Sequence, residues 1–147
     1  MFWISAKESS GFWLGVLNDL KSRGVRHVFI FSVDGLRGLE EAIRASYPDS
    51  DIQRCVIHQI RNSLRYVSWR EKKELSKDLK EVYGAGTIGE SSGAMEGFEG
   101  KWGNKYPHII KSWRENWESL MTYFRYPKFR KVTDGMQKGS SPRITLY

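Results

Sequence analysis

The run Val28-Phe29-Ile30-Phe31-Ser32-Val33 limits the architecture more than any other stretch, because it is almost continuously apolar and rich in β-formers. Such a run suits a strand covered on both faces better than one facing water. Asp34-Gly35 closes it. Upstream, Phe12, Trp13, Val16, Leu17 and Leu20 recur at helical spacing, with Ser9 or Ser10 as N-cap, Lys21 and Arg23 in the last turn and Gly24 at the C′ position. Downstream, Leu36, Leu39, Ala42 and Ile43 predict a second helix that Pro48 stops after Tyr47, and Ile52 to Ile57 predict another short strand. Residues 9 to 57 therefore read as helix, strand, helix, strand, the rhythm of an α/β layer.

From His58 onward the spacing is helical. Ile60, Leu64 and Val67 form one stripe and Arg61 and Arg65 another. Ser68-x-x-Glu71 predicts a capping box opening a helix with Leu75, Leu79 and Val82 inward and Lys72, Lys73, Lys77 and Lys80 outward. Glycines at 84, 86, 89, 93, 97, 100 and 103 predict a weak or frayed helix, since each costs about 1 kcal/mol against alanine. Pro107 fits the first turn of one long helix carrying Ile109, Ile110, Trp113, Trp117, Leu120, Met121 and Phe124, ended by Tyr126-Pro127. Thr133 to Tyr147 has no clear period and reads as a loose tail.

The 24 Lys and Arg against 17 Asp and Glu give a net charge of +7, which favours an anionic partner. Nucleic acid and a membrane surface both satisfy that charge. An aromatic content of 14% places it on a folded scaffold, not a disordered basic tail. No run of about 18 apolar residues is present to span a bilayer and no secretory signal opens the chain, so the expected location is the cytoplasm.

Asp34, at the C-terminal end of a covered strand, stands where open α/β sheets place ligands. It reads either as a turn or capping residue ahead of a permissive glycine or as a ligand for Mg²⁺ or Mn²⁺, which prefer carboxylate oxygen. Cys55-x-x-His58 has zinc-ligand spacing, but Cys55 is the single cysteine and only His27 and His108 remain as histidines. A small buried Cys beside a His at a helix start accounts for the pair more simply. Arg61 and Arg65, one turn apart beside Asn62, form a face that holds phosphates or is merely solvated. The Trp113 and Trp117 stripe reads as core more than as a base-stacking platform. Asp34-Gly35-Leu36-Arg37-Gly38 matches neither a P-loop nor a dinucleotide fingerprint.

The series Phe-Trp-Leu-x-Val-Leu-Asn-Asp-Leu-Lys-x-Arg-Gly-Val at 12 to 25, Val-Asp-Gly-Leu at 33 to 36 and Cys-Val-Ile-His-Gln-Ile-Arg-Asn-Ser at 55 to 63 resembles the mutator-type insertion-sequence transposases. Lys-Trp-Gly-x-Lys-Tyr-Pro at 101 to 107 and Ser-Trp-x-x-Asn-Trp-Glu at 112 to 118 extend the match to roughly residues 2 to 132. The resemblance implies a DDE transposase, in which two Asp and one Glu on a ribonuclease H-like fold bind two Mg²⁺ or Mn²⁺ ions for phosphodiester cleavage and strand transfer. It makes Asp34 the second Asp. It gives Cys55 and His58 a supporting or DNA-positioning role, beside the DNA-binding reading of the Arg61, Asn62 and Arg65 face, and it implies DNA, specifically insertion-sequence ends, as partner.

On this reading residues 1–63 are a partial ribonuclease H-like core, 64–126 an all-helical insertion and 127–147 a divergent tail. The first catalytic Asp belongs to a strand preceding this chain. No Glu follows Glu118, although the family places its catalytic Glu after the Tyr-Pro and Arg-Lys-Val that stand here at 126–127 and 130–132. The expectation is a truncated, drifted copy that binds metal weakly and is inactive alone, partnered with itself or with a full-length transposase, and associated with the nucleoid when on DNA. A non-catalytic DNA-binding or inhibitory module is the alternative.

Overall fold

The computed structural model describes residues 10–36, 38–126 and 145–146. The chain divides into two compact units, the first Met1–Gln53 with Ser141–Tyr147 and the second Arg54–Ser140.

The first unit is an α/β layer. Its elements are helix α1 (Ser10–Ser22), strand β1 (Ile30–Val33), helix α2 (Leu39–Ser46), strand β2 (Asp51–Arg54) and strand β3 (Thr145–Leu146). The sheet order is β2-β1-β3. The Asp51 N–H donates to the Phe29 carbonyl at 2.9 Å, so β1 and β2 start side by side and run parallel, joined by α2. Trp13 and Leu17 of α1, Phe31 and Val33 of β1, Leu39, Ala42 and Ile43 of α2 and Ile52 of β2 make one buried cluster. Two side chains tie the connections to it: the Tyr47 hydroxyl donates to the Val25 carbonyl at 2.6 Å and the Ser50 hydroxyl to that of Val28 at 2.5 Å.

α1 ends as expected, with Gly24 at φ 98° beyond its last turn. β1 is shorter than the apolar run. Ile30, Phe31 and Val33 are buried, but Phe29 precedes the strand and is 80% exposed. β2 ends at Arg54, and Val56 and Ile57 open the next helix instead of extending the strand. Most of the expected loose tail lies outside the described residues. Its Thr145–Leu146 is paired antiparallel with β1, Leu146 opposite Phe31 and Thr145 opposite Ser32.

The second unit is helical: α3 (Val56–Leu64), α4 (Lys72–Tyr83), α5 (Ile88–Trp102), α6 (Pro107–Glu115), α7 (Trp117–Leu120) and a 3-10 turn (Thr122–Arg125). Leu75, Leu79 and Val82 of α4 are buried as their spacing predicts, with Met95, Phe98 and Trp102 of α5 and Ile109, Trp113, Leu120 and Met121 beyond. α5 is a continuous helix of 15 residues despite its glycines. Ser91, Met95, Phe98 and Trp102 fall on one buried face, and Thr87 caps the helix by accepting the Glu90 N–H at 3.2 Å.

Three expectations about this unit are corrected. The stretch from Pro107 to Phe124 is not one helix, because it breaks at Asn116, whose amide donates to the Ser112 carbonyl at 2.8 Å and accepts from Arg54 at 2.6 Å. The capping box does not form. Glu71 turns its carboxylate to Lys105 and Tyr106 and leaves the Ser68 N–H to the Tyr106 hydroxyl at 3.2 Å. The buried face of α3 is Val56, Gln59 and Ser63, while Ile60 and Leu64 are only half-buried. Among the described residues no helix is long and apolar enough to cross a membrane.

Candidate functional site

Asp34 follows Val33 directly at the end of β1 and is half-buried. Gly35 at φ 76° and Gly38 at φ 77° take left-handed backbone on the way to α2, a conformation that costs a residue with a Cβ about 1–2 kcal/mol. The Asp-Gly pair thus combines a carboxylate at the strand end with the sharp turn that leaves it there. Arg37 lies outside the described residues. The first turn of α2 carries Glu40 and Glu41, whose charge disfavours a bound phosphate at this helix start.

In the second unit Cys55 occupies the N-cap of α3, and His58, one turn on, brings Nδ1 to 3.1 Å from its Sγ. Both are half-buried. Thiol and imidazole therefore engage each other. His108 does not join them, since its ring packs edge-on against Tyr66 and Tyr106 at 6.1 and 6.2 Å.

α3 is fixed by a polar ladder that spacing did not reveal. Gln59 Nε2 donates to the Ser112 hydroxyl at 2.8 Å, the Ser63 hydroxyl donates to the Gln59 carbonyl at 2.7 Å, and the Trp113 indole donates to Ser63 at 2.8 Å. Each buried polar atom in the ladder finds a partner, so α3 is locked to α6 in one rotation about its axis. The available signal was Gln59 and Ser63 standing four residues apart on the face that Val56 begins. The same rotation turns Arg61, Asn62 and Arg65 outward, and all three are exposed. Trp113 is core, fully buried, while Trp117 is half-buried.

Beyond α3 lies a second polar cluster. Glu71 accepts from Lys105 and from the Tyr106 hydroxyl, which hold its carboxyl below the usual carboxylate range, with Ser68 assisting. Lys105 is correspondingly raised by Glu71. Burial pushes the Asp78 carboxyl up, but Lys101 and the Trp102 indole, at 2.8 Å each, outweigh it and hold the group low.

Residues 1–133 match the family described as Transposase, Mutator family. The chain is 43% identical over 127 residues to a probable transposase for an insertion sequence element of Sinorhizobium fredii, covering 86% of this chain and 32% of that one. It is 42% identical over 127 residues to the transposase for insertion sequence element ISRM3 of Rhizobium meliloti, with the same coverage of 86% and 32%. A probable insertion sequence transposase of Corynebacterium diphtheriae is 40% identical over 126 residues, 85% of this chain and 37% of that one. The chain thus spans about a third of the length of these relatives.

Proposed function

Because the chain belongs to the Mutator family of transposases, we propose that it carries part of the active centre and DNA-contacting surface of a DDE-type enzyme that moves an insertion sequence. One observation supports the catalytic part of this reading. Asp34 is a half-buried carboxylate at the C-terminal end of the central strand of an α/β layer, within the matched segment. The layer is read as part of a ribonuclease H-like core with the helices after it as an insertion, and Asp34 as the second acid of the triad.

Asp34 fits Mg²⁺ or Mn²⁺ by donor type, since both prefer carboxylate oxygen to the sulfur and nitrogen of Cys55 and His58. When bound in pairs, such ions supply an activated nucleophile and stabilise the leaving oxygen in phosphodiester attack. The residues of this chain contribute orientation: Asp34 offers a charge held by a rigid turn, and Arg61, Asn62 and Arg65 offer donors to backbone phosphates. One acid does not hold two ions in working geometry. On this reading the chain alone binds DNA, holds metal only weakly and does not cut.

Nicking and strand-transfer assays on insertion-sequence ends with Mg²⁺ or Mn²⁺ test this. The chain alone is expected to leave DNA intact. Nicking that Asp34→Ala abolishes would overturn the inactivity. In a chimera that completes a full-length relative, Asp34→Ala is expected to lower strand transfer at least about 10³-fold, and unchanged activity would remove Asp34 from the metal site.

The exposed basic face of α3 favours a second reading, a non-catalytic module that occupies DNA or joins a full-length transposase. It predicts binding that survives Asp34→Ala and falls when Arg61 and Arg65 are both replaced by Ala.

A further inference from the structure

We propose that the turn between α3 and α4 receives an unpaired DNA base, with Trp69 and Tyr66 as stacking faces and Arg61, Arg65 and Arg70 holding the adjoining phosphates. The inference rests on the DNA-binding reading above and adds residues and a preferred DNA form to it.

Exposure is the first observation. Trp69 is 87% exposed and Tyr66 71%, in a unit whose other described tryptophans, Trp102, Trp113 and Trp117, are buried or half-buried. Leaving an indole and a phenol in water on one short turn forgoes burial that the rest of the unit exploits.

The turn is also held in place. Val67 is buried, its N–H donates to the Leu64 carbonyl at 3.2 Å, and the Ser68 N–H donates to the Tyr106 hydroxyl at 3.2 Å. The Tyr106 hydroxyl donates in turn to Glu71 at 2.5 Å, and the Ser68 hydroxyl donates to the same carboxylate at 3.3 Å. Tyr66 rests edge-on against His108 at 6.1 Å. Aromatic faces on a braced turn lose little freedom when a ligand arrives.

Charge selects the ligand. Around α5 and α6 the cations are answered internally, Lys101 by Glu74 and Asp78, Lys105 by Glu71, Lys111 by Glu115 and Arg114 by Glu99, whereas Lys72, Lys73, Lys77 and Lys80 on the outer face of α4 form no ion pair among the described residues. Arg61, Arg65 and Arg70 are exposed and form no ion pair among the described residues. Glu71, the one acid in the turn, is already occupied by Lys105 and Tyr106. Aromatic rings flanked by unanswered guanidinium groups suit nucleotides, whose bases stack and whose phosphates take Arg forks. A paired duplex keeps its base faces covered, so the fitting form is single-stranded, gapped or bulged.

Fluorescence anisotropy of the 147-residue chain with a labelled single strand, the matching duplex and a duplex with a one-base bulge decides the matter. Trp69→Ala is expected to weaken single-strand and bulge binding about tenfold and duplex binding less than about twofold, with Trp69→Phe retaining most of the affinity. Arg61→Ala with Arg65→Ala should weaken all three and flatten the salt dependence. Equal loss on all three DNAs from Trp69→Ala, or no loss, overturns the stacking site while leaving DNA binding standing. Absence of binding by every DNA at low salt overturns both. Unchanged circular dichroism confirms folding of the variants, and a dimer in sedimentation that Trp69→Ala dissolves would assign the turn to self-association and overturn the proposal.

Discussion

Ser63 accepts the indole proton of Trp113 at 2.8 Å while donating to the Gln59 carbonyl at 2.7 Å, so a single hydroxyl joins two helices. Ser63→Ala leaves a buried N–H without an acceptor, and the expected loss of stability is about 1–3 kcal/mol, read from the urea midpoint. A change below about 0.5 kcal/mol would mean that the ladder does not hold α3. Gly35 is the opposite kind of position. Its φ of 76° makes Gly35→Ala strained, with an expected cost of about 1–2 kcal/mol in the same assay. The Asp34-Gly35 turn was legible because an apolar run ends there in two residues with defined turn chemistry. Gln59 and Ser63 were not singled out because an amphipathic template looks for apolar side chains on the inward face, and their partners on α6 lie 53 and 50 residues away.

At the scale of elements, α5 shows how tertiary packing outweighs propensity. Its glycines cost about 1 kcal/mol each against alanine, yet Met95, Phe98 and Trp102 anchor the helix face and the Ser91 hydroxyl donates to the Val82 carbonyl at 2.6 Å. A Cβ built at Gly93, Gly97 or Gly100 meets nothing within 4 Å. Replacing all three by Ala should therefore raise the melting temperature, with each site worth up to about 1 kcal/mol, and a fall would show that these positions serve something other than helix formation. The break at Asn116 was hidden for a related reason. The apolar stripe from Ile109 to Phe124 continues across it, and the Arg54 guanidinium that engages Asn116 comes from 62 residues earlier. Lys-rich α4, by contrast, follows its pattern closely, since its inward residues recur without exception and its outward ones are charged.

Across the whole molecule, the net charge of +7 is distributed unevenly, with Lys101, Lys105, Lys111 and Arg114 around α5 and α6 tied into ion pairs and the exposed cations of α3 and α4 left to solvent. Two of the paired acids also set the acid limit. The folded values of Glu71 and Asp78 lie below the usual carboxylate range, so their contribution is present above about pH 4 and is lost as pH falls through that region toward the folded values. Lys101 and Lys105 are raised, so their contribution persists below the usual lysine value near 10.4 and fades only as pH rises through the higher folded value. Thermal melts should accordingly decline below about pH 4, and Glu71→Gln should shallow that decline. An unchanged slope in the variant would remove Glu71 from the acid response.

The pairing of β3 with β1 has a temporal consequence. Phe31 and Ser32 find their partners in Leu146 and Thr145, more than a hundred positions later. During synthesis on the ribosome the helices from α3 to α6 emerge before residues 145 and 146, so the central strand gains this neighbour only after them. A nascent chain stalled before residue 145 would expose one edge of β1 to whatever strand or chaperone reaches it.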